Sequence, residues 1–271
     1  VGVGLMYRRG YFRQTVDADG RQQHFYPDYD LRRLPLLPVA GPGGKPLRVH
    51  VDLPGRSIQL RVWKATVGRV PVLLLDSDVR ENDPADRPIT SILYVHGREM
   101  RLCQEMVLGV GGYRALAAAG VTPSVWHLNE GHSALVSFER IRRTMEGDGL
   151  PFDAAVAKTT KTAAFTTHTP VPAGNETFEL GLVRIYAEAW GAGLSGGTSS
   201  FVDLGLGASG DEVFNLTVLA MRTSSRTNGV SKLHGQVADG MWKHLFPEVE
   251  AGKERIGSIT NGVHIPTWMG P

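Results

Sequence analysis

Two stretches of this sequence end in residues able to do chemistry. Val125–Leu135 reads VWHLNEGHSAL and Ala164–Gly174 reads AFTTHTPVPAG. Each runs from apolar to polar and contains histidine. The first offers His127, Asn129, Glu130 and His132, the second Thr166, Thr167, His168 and Thr169, and a third run, SITNGVH, closes with Asn261, Gly262 and His264. Asn and Thr hydrogen-bond in both directions, Glu accepts from paired hydroxyls, and His can donate or accept, so the set suits a neutral polyhydroxylated ligand. Glu130, His132 and His168 also suit acid or base work. The plainer alternative is that Glu130 or Ser133 only caps the helix that follows.

Other chemistries fit less well. HLNEGH is not His-Glu-x-x-His, and a strand-to-turn context does not set two histidines one helical turn apart, which argues against zinc on His127, His132 and His168. The glycines of VLGVGGYRAL sit inside a helical pattern rather than after a strand, unlike a dinucleotide fingerprint. There is no phosphate-cradling Gly-x4-Gly-Lys loop and no Gly-x-Ser-x-Gly around Ser133. The single cysteine, Cys103 in RLCQEMVL, excludes an internal disulfide framework and reads as a small buried hydrophobe.

Residues of this kind need a scaffold that gathers strand ends, and open α/β sheets bind ligands beyond the carboxyl ends of their strands. The spacing predicts a strand at VWHL, a helix from near Ser133, another after Pro151 and a strand at AAFTTHT, a β-α-β progression in a parallel sheet. Glu99–Ala119 reads as one helix with a glycine waist or as two helices. The segments 178–190 and 212–226 carry helical spacing, LSGGTSSFVDLGLGASG between them reads as a mobile surface segment, and HGQVADGMWKHLF is a last helix stopped by Pro247. SITNGVHIPTW gives a short strand and an Asn-Gly turn.

The first third is strand-like instead. DADG at 17–20 predicts a hairpin between GYFRQTV and RQQHFY. The proline-broken DYDLRRLPLLPV predicts a surface crossover, and three β-rich runs follow at LRVHVDL, SIQLRVWKATV and VPVLLLDSDV. The expected organisation is one domain over 1–271, with 1–90 a β-rich section decorating an α/β core over 91–271.

Composition narrows the function classes. The 271 residues, 42% hydrophobic and 21% charged, support an ordered core. A net charge of +2 gives no electrostatic footprint for nucleic acid or an anionic membrane. Arg140, Arg142 and Arg143, with Glu139 and Glu146, read as a solvated helix face. No apolar run is long enough to span a bilayer and the first residues lack the order of a secretion signal, so the expected location is the cytoplasm. The Asn175-Glu-Thr and Asn215-Leu-Thr matches to a glycosylation pattern are then incidental.

GLMYRRGYFRQ, LRVWKATVGRVPVLLLDSDV, REMRLCQE, VWHLNEGHSAL, FTTHTPVPAGNETF, TNGVSKLHGQV and TNGVHIPTW occur in this order. Taken together they resemble the α-glucan phosphorylase family, especially its shorter bacterial and archaeal branch, over nearly the whole chain. The resemblance implies a Rossmann-like N-terminal domain of a glycosyltransferase-B fold. It implies phosphorolysis of α-1,4-glucan by inorganic phosphate to glucose 1-phosphate, with retention. It also implies pyridoxal 5′-phosphate in the complete enzyme, held by a C-terminal domain absent from this chain.

By the same resemblance His168 is the catalytic histidine, binding a glucosyl hydroxyl through its side chain and setting its carbonyl near developing positive charge. Glu130, His132 and Asn261 are substrate-binding, Asn261 toward the hydroxymethyl end. Three departures stand out. A Gly-Leu-Gly segment is missing before GLMYRRGYFRQ, the cofactor half is missing, and Tyr94–Arg98 (YVHGR) replaces a Gly-Gly-Asp-like turn. They imply an isolated segment without activity. A noncatalytic glucan-binding or structural domain and a related nucleotide-sugar glycosyltransferase are the competing readings. The resemblance leaves a homo-oligomer open.

Overall fold

The computed structural model describes residues 1–93, 95, 97–207, 213–247, 254–265 and 269. Tyr94 and His96 of the YVHGR stretch, and 266–268 of TNGVHIPTW, lie outside the described residues. The chain is mixed α/β and divides into two units. The first is Val1–Pro123 with Phe138–Arg140 and Gly181–Ser199, and the second is Ser124–Ser137, Ile141–Leu180 and Ser200–Pro271.

The first unit carries strands β1 (Gly2–Leu5), β2 (Arg13–Val16), β3 (Gln22–Phe25), β4 (Leu37–Pro38), β5 (Arg48–Leu53), β6 (Arg56–Val67) and β7 (Val70–Asp76). The hairpin expected at DADG joins β2 to β3, with Val16 opposite Gln22. Its turn forms because Gly20 takes φ +77° and the Asp17 carboxylate accepts the amides of Asp19 and Arg21 at 3.0 and 2.9 Å. The three expected β-rich runs are β5, β6 and β7, which form an antiparallel meander; β1 pairs parallel with β7, and the proline-broken β4 reaches only an edge of β6.

Alternation along these strands buries Val49, Val51, Leu53, Ile58, Leu60, Val62, Leu73 and Leu75 on one face. Each such side chain stabilises the sheet by about 1.5–3 kcal/mol relative to exposure. A helix covers that face. It runs as α1 (Arg98–Met106), a five-residue π turn (Val107–Gly111) and α2 (Gly112–Ala118), so the glycine waist joins one continuous helix. A side chain at Gly111 would begin 2.8 Å from Leu60 and 3.2 Å from Val51; glycine is what lets the helix lie against the sheet. The β-rich section and the helix that covers its apolar face lie together in the first unit.

The second unit continues with β8 (Trp126–Asn129), α3 (Val136–Asp148), α4 (Phe152–Thr160), β9 (Ala163–Thr167), β10 (Thr177–Glu179), α5 (Leu180–Trp190), α6 (Ser199–Asp203), β11 (Val213–Asn215), α7 (Leu216–Arg222), β12 (Arg226–Gly229), α8 (Lys232–Trp242) and β13 (Ile256–Ser258). Parts of α3, α5 and α6 count with the first unit. Strands β8, β9, β12 and β13 form a four-stranded parallel sheet in that spatial order. Leu128, Phe165, Thr167, Thr227 and Ile256 are buried on one face of it.

Three sequence expectations are corrected here. The helical reading of 178–190 and 212–226 missed the antiparallel pair β10–β11 and the start of β12, which are short and whose pairing partners are distant in sequence. The supposedly mobile 194–210 contains α6, whose Phe201 and Val202 are buried, with Phe152 edge-on to Phe201 at 4.8 Å; 208–212 lie outside the described residues. Glu139 and Arg140 are buried rather than on a solvated face; Glu139 accepts from Arg114 Nε at 3.0 Å and Trp190 Nε1 at 2.8 Å. Among the described residues, no helix is long and apolar enough to cross a membrane.

Candidate functional site

Strands β8 and β9 are parallel neighbours in register, Asn129 opposite Thr166, so the two polar segments emerge side by side at the carboxyl edge. The link continues past the last paired residue, where the Glu130 amide donates to the Thr166 carbonyl at 2.9 Å. Glu130 then turns back over the strand ends. Its Oε2 accepts from the His168 backbone amide at 2.7 Å and from the Thr169 hydroxyl at 3.0 Å, while Oε1 accepts from the Gly131 amide at 2.8 Å. His168 reaches the other way, its Nε2 lying 2.7 Å from Asn129 Oδ1. With the amide oxygen facing the ring, Nε2 carries the proton and Nδ1 is left as an acceptor in the neutral imidazole.

Glu130 is bent into an unusual backbone shape. Among the described residues it alone, apart from glycines, has positive φ, at φ 71° and ψ 164°. That region is essentially a glycine one and costs a side-chain-bearing residue about 1–3 kcal/mol. Three contacts to its carboxylate and the Ser133 hydroxyl on its carbonyl, at 2.8 Å, hold it there. Next to it, Gly131 is closely packed: a Cβ would stand 3.1 Å from the Thr217 hydroxyl and 3.3 Å from the Thr217 amide, at the start of α7. The sequence NEG thus encodes a strand end folded back on its neighbour.

A second polar chain crosses the same sheet. His127 Nε2 lies 2.8 Å from Thr166 Oγ1, and Thr166 donates at 3.0 Å to Asn228 Oδ1 on β12. His127, Asn129, Thr166, His168 and Asn228 share one face because residues two apart in a strand point the same way. That face is polar and partly open: His127, Asn129 and His168 are exposed and Asn228 is half-buried. Asn228 escaped the sequence reading because RTNG looks like a turn, and its pairing with β9 and β13 is visible only in the fold.

The loop after His168 is drawn in by its own residues. Asn175 Nδ2 donates to the Val171 and Pro172 carbonyls at 3.3 and 3.2 Å, and its Oδ1 accepts from Thr217 at 3.0 Å. Gly174 comes so near Thr169 that a Cβ would meet its methyl at 2.8 Å. Farther along the sheet, Gly229 and Gly235 let α8 approach β12 and β13; a Cβ on Gly229 would sit 2.8 Å from the Gly235 amide. Ser231 caps α8 by accepting from the His234 amide at 3.1 Å.

Of the four residues singled out from the sequence, Glu130 and His168 are in direct contact. His132 lies half-buried in the Gly131–Ser133 turn directly after them. Asn261 follows the carboxyl end of β13, where its amide donates to the Val230 carbonyl at 3.1 Å and its side chain is exposed. It is gathered at the same sheet edge but not into the Glu130–His168 cluster. Both carboxylate oxygens of Glu130 accept hydrogen bonds from its own turn and from the His168–Thr169 segment. Among the described residues no group of three or more His, Cys, Asp and Glu side chains is disposed to hold a metal ion. Cys103 is buried, 3.3 Å from the Tyr186 hydroxyl, and burial pushes its thiol above the usual range.

Known proteins align with the chain from end to end. It is 43% identical over 269 residues to the maltodextrin phosphorylase of Thermococcus litoralis, an alignment taking in 99% of this chain and 32% of that protein. The glycogen phosphorylase of Mycobacterium tuberculosis is 42% identical over 282 residues, covering 100% of this chain and 33% of the relative. The glycogen phosphorylase of Aquifex aeolicus is 32% identical, with 99% and 38% covered. The chain therefore spans between 32% and 38% of the length of these curated relatives. No family model matches it.

Proposed function

This chain belongs to the glycogen and maltodextrin phosphorylase family, and from that premise we propose that the whole protein transfers the terminal glucosyl unit of an α-1,4-glucan to inorganic phosphate. The product is glucose 1-phosphate, formed with retention. The four-stranded parallel sheet supports a Rossmann-like half of a glycosyltransferase-B arrangement, with the sugar beyond the carboxyl ends of β8, β9, β12 and β13.

His168 is the catalytic residue in this proposal. Its imidazole, oriented by Asn129, offers Nδ1 to a glucosyl hydroxyl, and its backbone carbonyl faces the anomeric carbon. Bond cleavage leaves partial positive charge on the sugar ring, and a fixed carbonyl dipole stabilises that charge without a carboxylate nucleophile. His132 and Asn261 bind the sugar in this proposal, Asn261 at the hydroxymethyl end. The observation that carries the reading is the pair of 2.7 Å hydrogen bonds joining residue 168 to Glu130 and Asn129 across two neighbouring strands.

The resemblance also implies pyridoxal phosphate. The hydrogen-bonded cluster of His127, Asn129, Glu130, Thr166, His168, Thr169 and Asn228 contains no lysine to form an imine and no arginine to hold a phosphate. These residues fit a sugar and not the cofactor. We assign cofactor binding to the rest of the whole protein and derive no step through it.

The test is assay of the whole protein with maltodextrin and phosphate. Glucose 1-phosphate is the expected product. Its absence, or turnover only with a sugar nucleotide, would overturn the proposal.

A further inference from the structure

We infer that Glu130 is a positioning residue, acting on the sugar through the His168–Thr169 segment, which it holds by the His168 amide and the Thr169 hydroxyl. The inference rests on the function proposed above, since it concerns the same centre. Two observations carry it. First, both carboxylate oxygens are engaged, Oε2 by the His168 amide and the Thr169 hydroxyl and Oε1 by the Gly131 amide, and two of these three donors belong to the segment that bears the catalytic carbonyl. Second, the side chain reaches them only because residue 130 adopts φ 71° and ψ 164°. Glycine would make that turn at lower cost, so the turn alone does not call for glutamate.

The geometry makes a clamp. The amide of residue 168 and the carbonyl of residue 167 belong to one peptide plane, so fixing that amide fixes how the chain enters His168. The Thr169 hydroxyl fixes how it leaves. The carbonyl between them is thereby held at both ends, and Asn129 holds the ring. The carboxylate receives two amide N–H groups and a hydroxyl, so both of its oxygens are tied to the chain around the two strand ends.

The experiment compares wild type with Glu130→Gly and Thr169→Val in the whole protein. Glycine relieves the backbone strain while deleting the clamp. Turnover should fall roughly 10- to 100-fold with KM nearly unchanged, as expected when a reacting group is displaced by about an ångström. The melting midpoint should hold within about 3 °C. Thr169→Val should lower turnover by a smaller factor.

The decisive comparison is run in the glucan-synthesis direction, using glucose 1-phosphate and its 2-, 3- and 6-deoxy analogues. A positioning residue gives the same fractional loss with every analogue. A residue bonded to one hydroxyl gives a loss that disappears when that hydroxyl is absent, and this result would overturn the inference.

Hydrogen exchange at the residue 168 amide gives a readout independent of activity. Exchange should quicken in Glu130→Gly, and an unchanged rate would refute the clamp even if the wild type makes no glucose 1-phosphate. A wild type without activity counts against the proposed function instead. Should Glu130→Gly fail to fold, the analogue and exchange measurements on Thr169→Val decide.

Discussion

Glu130 and Glu139 invite comparison, each taken within its own unit. Glu139 is fully buried and neutralises Arg114 while accepting the Trp190 indole N–H. Its partners are side chains from the helical layer, and its contribution is to let a guanidinium and an indole be buried together. Glu130 is half-exposed, and apart from Thr169 its partners are backbone amides at two strand ends. Two hydrogen-bonded carboxylates therefore do different things: one completes packing, the other fixes the backbone of an open edge. Hydrogen bonding alone does not distinguish structure from function; what the partners belong to does.

The contrast is tested most severely by Glu139→Ala. Removing Glu139 takes the nearer carboxylate from Arg114, which keeps Asp52 at 3.5 Å and the His50 carbonyl at 2.7 Å, and the loss should be about 3 kcal/mol, the lower end for a broken buried pair. Thermal or urea unfolding should show that loss, and a variant as stable as wild type would mean that Glu139 is not a packing residue. His168→Ala in the whole protein should do the opposite. Turnover should drop roughly 10²–10³-fold, the range for losing one transition-state contact. Stability should change by no more than about 1 kcal/mol, the worth of one exposed hydrogen bond. Parallel losses of melting temperature and activity would make His168 structural.

The smallest effect concerns the interior of the first unit. Burial raises the pKa of both Cys103 and Tyr186 above their ordinary values of 9.0 and 10.0. In the unfolded chain these groups ionise at the ordinary values, so between there and the raised folded values the folded state holds more protons. Stability is then fully present below pH 9 and declines as pH rises through that window. Melting midpoints at pH 8 and pH 10.5 should differ by about 2–5 °C from this source, and Cys103→Ala should remove part of the difference.

Much of this arrangement is legible in the order of the amino acids. The apolar-to-polar order of VWHLNE and AFTTHT gives both the strands and the edge where their chemistry collects, because a short buried strand must be apolar and its exit need not be. The hairpin at DADG and the meander after it follow from turn chemistry and alternation.

What escapes is set by partners distant in sequence. Arg226–Gly229 is a central strand although it reads RTNG, since pairing on both sides satisfies its backbone whatever its side chains prefer. Phe201 and Val202 look like part of a glycine-serine tract until they are found in the core. Glu139 and Arg140 sit among exposed charges in the helical pattern, and only the positions of Arg114 and Trp190 reveal the burial. The positive φ of Glu130 has no signature in its own residue type. The glycine after it is the only local trace of the crowding.

The π turn at Val107–Gly111 fits one more residue into a turn than an α-helix would. Were the same residues wound as plain α-helix, the extra residue would swing everything downstream by about 100° around the helix axis. Arg114 would then be carried off Glu139 and the sheet would face different side chains. The aim of that arginine is thus set at the waist of the helix, several residues before the arginine itself.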